Sequence, residues 1–295
     1  MNPKFHGLIA FPVTPTDSQG NFDARAFRML IDRLVNSGIH GLAILGSTGA
    51  AVYFSELERK EIASAGVEIV KGRIPLMVGT GAMTTAEVIS LSQHAETIGA
   101  DAVLITPVSY WPLTTDEVYQ HYERIAHAVS ISICVYNNPR TTQVDIQPEL
   151  AGRLSALPNI DSFKETSVDL ARISQVSQSS GGKMSVAYSR DVNACEALIA
   201  GANAWHSGIA NVIPEHCVRI FNLVKKDANH DLATHLSADI TELCRFASEK
   251  GLIRSVHTAL EMIGHGAGRP RPPIGLLHGR DAETLQKYLT ALNLI

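Results

Sequence analysis

Ala102-Val103-Leu104-Ile105-Thr106 is an apolar run too short for a helix, and it is followed by Thr114-Thr115-Asp116-Glu117, in which Thr114 and Glu117 have capping-box spacing. A buried strand followed by the start of a helix is the simplest reading. The same unit recurs on both sides. Further apolar runs begin near Gly7 (GLIAF), Gly41 (GLAIL), Pro75 (PLMVG), Ser132 (SICVY), Ile160 (IDSFK), Met184 (MSVAY) and Ala204 (AWHSG). Their intervals of about 20 to 34 residues are each the length of one strand plus a crossover helix. Eight such units predict an α/β fold, a closed parallel (β/α)8 TIM barrel.

The segments between the runs carry helix signals. Ser55 with Glu58 and Thr84 with Glu87 repeat the capping-box spacing, and Phe27, Leu30, Ile31 and Leu34 make one apolar stripe on the first helix. Pro148 suits the first position of a helix through Leu150, Leu154 and Leu157. Residues 1–213 are expected to form the barrel. Residues 214–295 exceed a closing helix, and their helical spacing predicts a C-terminal extension of about three more helices. Gly264 to Pro273 must be a loop before the last of them.

A chain of 295 residues accommodates one such barrel. The formal net charge of −4 disfavours a polyelectrolyte partner such as nucleic acid. Cys134, Cys195, Cys217 and Cys244 form no CxxC pair and read as reduced, buried thiols. The N-terminus at Met1 to Lys4 is followed only by a short apolar stretch broken at Pro12, so neither a leader nor a membrane span is expected and the default compartment is the cytoplasm. Neither His121 with His127 nor His230 with His235 has helical metal-site spacing, so no metal is expected. No GxGxxG follows an early strand, and no cofactor is expected.

In a TIM barrel the reacting groups lie at the carboxyl ends of the strands. Lys164 ends the sixth run, where desolvation would lower its pKa and leave an amine able to form a Schiff base. A strand-end lysine can equally pair with a neighbour such as Glu165 or reach solvent. Tyr136 ends the fifth run; its phenol could move protons during carbinolamine formation or simply complete the core. Gly46-Ser47-Thr48-Gly49 is a turn of small residues whose amides and hydroxyls suit a carboxylate, or a plain strand-to-helix connection.

Taken in order, GLIAFPVTP from Gly7, GSTG at 46–49, Ile105-Thr106-Pro107, YNNP at 136–139, the Lys164 segment FKET, Gly201-Ala202, Ala210-Asn211-Val212 and Arg271-Pro272-Pro273 resemble the dihydrodipicolinate synthase and N-acetylneuraminate lyase family of pyruvate-dependent class I aldolases. The resemblance spans nearly the whole chain. It implies that Lys164 is the Schiff-base lysine and Tyr136 the phenolic acid/base. It makes Ser47 and Thr48 the carboxylate-binding pair, with Ser47 also relaying protons to Tyr136. Gly46, Thr166, His206 and Gly208 are expected to complete the substrate site. Family tetramers pass a tyrosine after strand four across a dimer interface; here Ser109 holds that position and Tyr110 lies one place later.

Other departures bear on the substrate. The synthases carry an arginine for the distal carboxylate where this chain has Thr141, with Arg140 one place early. Lys164-Glu165-Thr166-Ser167 resembles the K-x-T-S of the lyase branch. The expectation is a carbon–carbon lyase or aldolase acting on a 2-oxo acid and an aldehyde, in a homotetramer. Alternatives are dihydrodipicolinate synthase itself, a dehydratase or deaminase using the same imine, and a non-catalytic paralogue that senses a 2-oxo acid.

Overall fold

The computed structural model describes residues 5–295; the Met1 to Lys4 stretch read above for a leader lies outside them. The first half of the chain alternates β1 (Gly7–Ala10), α1 (Ala24–Asn36), β2 (Gly41–Ile44), α2 (Glu56–Val70), β3 (Leu76–Gly79), α3 (Thr85–Thr97), β4 (Ala102–Ile105) and α4 (Thr115–Ala128). The pattern continues with β5 (Ser132–Tyr136), short α5 (Pro139–Thr142), α6 (Pro148–Leu154), β6 (Ile160–Glu165), α7 (Ala171–Ser179), β7 (Ser185–Tyr188), α8 (Ala194–Ile199) and β8 (Ala204–Ser207). Four helices follow: α9 (Pro214–Lys225), α10 (His230–Lys250), α11 (Leu252–Met262) and α12 (Gly279–Ala291). The strands close in sequence order into a parallel barrel, β8 pairing β1.

Local chemistry accounts for the elements. Ser55 and Thr114 close full capping boxes with Glu58 and Glu117. At α3 only half the expected box forms: Thr84 accepts from the Glu87 amide, while the Glu87 carboxylate lies 4.0 Å from Arg59. The α1 stripe of Phe27, Leu30, Ile31 and Leu34 is buried against the barrel. The helix begun by Pro148 stops at Leu154, so Leu157 packs from the following turn rather than from the helix. The four cysteines are buried and unpaired, as expected.

The barrel interior is a separate core containing Ile9, Phe11, Ala43, Met77, Ala102, Leu104, Cys134 and Tyr136. Strand tilt places inward side chains of alternate strands in common layers. Register carries Leu104 through Cys134 to Ser162, and the next inward position on β6 is Lys164. It carries Lys164 through Ala187 to Ala204, and the next inward position on β8 is His206. From His206 through Ile9 to Gly41, the same step leads to Ala43. One layer therefore comprises Ala43, Leu104, Lys164 and His206. By the same rule Gly79, Tyr136 and Ser189 sit in the layer above, with Phe11.

Asn211 joins the ends of the first and last strands. Its amide donates to the Phe11 and Gly208 carbonyls at 2.7 Å each and its oxygen accepts from the Val13 amide at 3.1 Å. The Gly264 to Pro273 loop pairs with the loop after β1 through Thr16 and Arg269, at 3.0 Å in each direction. Arg271 also binds Glu58 of α2 at 2.5 Å. The loop after β1 and the Gly264 to Pro273 loop therefore brace the carboxyl rim of the barrel.

Candidate active site

Lys164 is 4% exposed although it lies at a strand end. Its Nζ sits 3.6 Å from the centre of the Phe11 ring and 4.1 Å from that of Tyr136. Burial lowers its pKa to about 7, with Cys134 and Asp191 pulling the other way. A useful fraction of the amine is then neutral and nucleophilic at ordinary pH. Pairing with Glu165 does not occur, because neighbouring residues on a strand face opposite sides. Glu165 instead accepts from the Thr166 and Ser167 amides at 2.7 and 2.8 Å, from Asn137 at 3.0 Å and from Arg172 at 3.3 Å. Arg172 reaches Asp145 at 2.9 Å. This network ties the ends of β5 and β6 and holds Lys164 and Tyr136 at fixed separation.

Tyr136 is buried, and its phenol accepts from Asn138 Nδ2 at 3.1 Å. Burial pushes its pKa up, while hydrogen bonds with Ser47, Ser189 and Asn138 pull it down. Ser47 arrives through a strained turn. Leu45 adopts φ +56° and Ala50 φ +53°, conformations uncommon for residues with a Cβ, and they reverse the backbone around Gly46 to Gly49. Gly79 permits this on β3, since a Cβ there would lie 1.9 Å from the Leu45 carbonyl oxygen. Thr48 lies close to β8: a Cβ on Gly208 would sit 3.2 Å from its Oγ1.

These groups open into a cavity of about 640 Å³ whose wall includes Ser47, Thr48, Tyr136, Lys164, Thr166, His206 and Gly208. Thr166 donates to the Asn137 carbonyl at 2.8 Å. Arg140 and Thr141 also line the cavity, both from α5 rather than from an extended segment. Two expected residues fall elsewhere. Gly46 is not in the wall; it lies under Phe11, where a Cβ would come within 2.8 Å of the ring. Tyr110 does not reach the cavity of its own chain: it is 77% exposed and packs edge-on against Trp111 at 5.8 Å.

Several wall residues escaped the sequence reading. Phe11 covers Lys164, and Ser189, Arg190 and Asp191 line the cavity just after β7. The strand-end rule applied to MSVAY would have found the last three. Asp191 is buried and accepts from Trp205 at 2.9 Å, Ser207 at 2.7 Å, the Gly208 amide at 3.2 Å and the Ile209 amide at 3.0 Å. Burial raises its pKa and these donors lower it. Among the described residues, His206 is buried with both ring nitrogens lacking hydrogen-bond partners, and Arg190 Nε also has none.

The sequence matches the dihydrodipicolinate synthetase family over residues 4–292. The chain belongs to that family. Members are class I lyases and aldolases that form a lysine Schiff base. The 4-hydroxy-tetrahydrodipicolinate synthase of Thermodesulfovibrio yellowstonii is 31% identical over 292 residues, covering 99% of each chain. A dihydrodipicolinate synthase structure from Agrobacterium tumefaciens superposes with a TM-score of 0.92 at 34% identity, covering 98% of each chain. The chloride-inhibited enzyme from Acinetobacter baumannii, solved with pyruvate, gives a TM-score of 0.93 at 29% identity over 99% of this chain and 100% of its own.

Proposed function

We propose that this member of the dihydrodipicolinate synthetase family is a Schiff-base carbon–carbon lyase or aldolase for pyruvate or a related 2-oxo acid. The observation that carries the reading is Lys164, buried and lowered to about 7 beneath Tyr136 at the floor of an open cavity. Its amine attacks C2 of the 2-oxo acid. Tyr136 delivers the proton with which the carbinolamine oxygen leaves as water, and Ser47 passes protons between Tyr136 and the cavity. The carboxylate sits on the Ser47 and Thr48 hydroxyls and the amides of their turn. The resulting iminium draws electrons from C3, so the bond between C3 and an aldehyde-derived carbon can form or break.

A second reading, dihydrodipicolinate synthase condensing pyruvate with aspartate semialdehyde, is favoured by Arg140. In α5 it lines the same cavity as Thr141, so a guanidinium is available for a distal carboxylate without a backbone shift. Borohydride reduction with pyruvate should add one reduced adduct to the peptide containing Lys164. A screen of sugar-derived 2-oxo acids for pyruvate release, run beside the aspartate semialdehyde reaction, then separates lyase from synthase. Dehydration or deamination would show as product without aldehyde release, and a sensing paralogue would show no turnover. The working form is proposed as a homotetramer of the cytoplasm, with the exposed Tyr110 and Trp111 at a subunit interface.

A further inference from the structure

We propose that His206 takes the C3 proton of the Lys164 imine and so converts it to the enamine. The inference rests on the Schiff-base reading above and assigns a separate step of it.

A histidine in the barrel interior is costly, because each buried ring nitrogen without a partner forgoes the hydrogen bond it had in water. His206 is 3% exposed and neither nitrogen is paired among the described residues, yet its ring forms part of the cavity wall. Packing alone would be served by an aliphatic side chain such as Leu104 in the same layer. His206 and Lys164 are the only titratable groups of that layer, on alternate strands, with small Ala187 between them on β7. Phe11 covers both: its ring centre is 3.6 Å from Lys164 Nζ and 5.2 Å from the centre of the imidazole.

The roles proposed above for Tyr136, Ser47 and Thr48 assign a direction to C3. Nitrogen comes from β6, and the departing oxygen is directed to Tyr136 on β5. The carboxylate reaches Ser47 and Thr48 at the end of β2, near Gly208. The direction left for C3 is toward β7 and β8, away from Tyr136. On that side β7 offers Ala187 and Ser189, and Asp191 already accepts four hydrogen bonds. His206 is the remaining base.

The step balances in charge as well as in atoms. The C3–H bond breaks, its electron pair becomes the C2–C3 double bond, and the pair of the C=N bond returns to nitrogen. The proton goes to the imidazole. A positive iminium becomes a neutral enamine as a neutral imidazole becomes cationic, so the buried layer holds one charge before and after. Burial and the neighbouring Lys164 hold the His206 pKa well below its usual value in the free protein, which keeps it unprotonated and ready. Once the lysine nitrogen loses its charge, the electrostatic part of that depression is relieved.

The test follows the pyruvate methyl signal by NMR in D2O, without an aldehyde, in the wild type and in His206→Asn and His206→Leu. Borohydride trapping on Lys164 reports imine formation and an intact site in each protein. The wild type should exchange its methyl protons for deuterium. Both variants should still be trapped while exchanging about 100-fold or more slowly, the lower range for loss of a positioned base. His206→Gly should regain exchange on adding free imidazole, which a merely structural role would not produce. Trapping with undiminished exchange in either substituted protein overturns the assignment to His206 alone, whereas a wild type that is never trapped overturns the Schiff-base reading as well.

Discussion

A lysine in a dry barrel gains reactivity and costs stability through the same electrostatics. The Lys164 pKa of about 7 lies below its usual 10.5, so below about pH 7 the amine is protonated and cannot attack. The rate of imine formation should therefore rise with pH up to about 7 and then level off, as measured by borohydride quenching at short times. For stability the sign is fixed by proton counts: between about 7 and 10.5 the unfolded chain holds more protons than the folded one, so stability rises with pH across that window. Lys164→Met should abolish trapping and raise the melting temperature, most clearly below pH 7, where the folded protein must bury an ammonium. Tyr136→Phe should keep the fold and slow imine formation by about 10²–10⁴-fold; wild-type rates would remove the phenol from the mechanism.

The elements that carry these residues differ in how visible they were in the sequence. Each strand begins within one place of an apolar run, because a strand buried on both faces is written as a continuous run. The short helix α5 was not visible, since four residues show no period; Pro139 at its start was the only signal. The consequence is chemical. Adjacent residues in an extended segment face opposite ways, but in a helix Arg140 and Thr141 can share a wall. Arg140→Ala should therefore lower kcat/KM for carboxylate-bearing acceptors by about tenfold, the worth of a charge-assisted contact, while leaving pyruvate trapping unchanged. Thr141→Arg is the companion variant, and the coupled pyruvate and aspartate semialdehyde assay reads both. The Glu165 and Arg172 pair was also hidden, because it joins β6 to α7 through the side of β6 that faces away from the cavity. Arg172→Ala would leave the fully buried Glu165 carboxylate without its countercharge, though still held by the Thr166 and Ser167 amides and Asn137, and should cost up to about 3–5 kcal/mol in denaturant unfolding.

At the scale of the whole molecule, the barrel and its helical tail could be read from spacing, and the family from motifs distributed along the chain. The layering could not, since it exists only once the strands close and register is counted around the circle. That is why Lys164 and Tyr136 stood out at strand ends while Phe11, in an apolar run, did not. The placement of Tyr110 and Trp111 belongs to this scale too. Both are exposed, at 77% and 75%, in the loop after β4, and neither lines the cavity. If that face joins subunits, Trp111→Glu should lower the oligomeric state in sedimentation velocity without changing the melting of the isolated fold.

The four native thiols are buried, and burial pushes Cys134 up to about 12. Cys244 borders the cavity, but burial raises its pKa as well, so the folded protein should react slowly with thiol reagents and one exposed cysteine would stand out against that background. Val168 is the natural place for it: the side chain is 71% exposed and stands in the cavity wall. A fluorophore on Val168→Cys would sense what enters the cavity directly, giving an optical titration of candidate acceptors that needs no knowledge of the product they form.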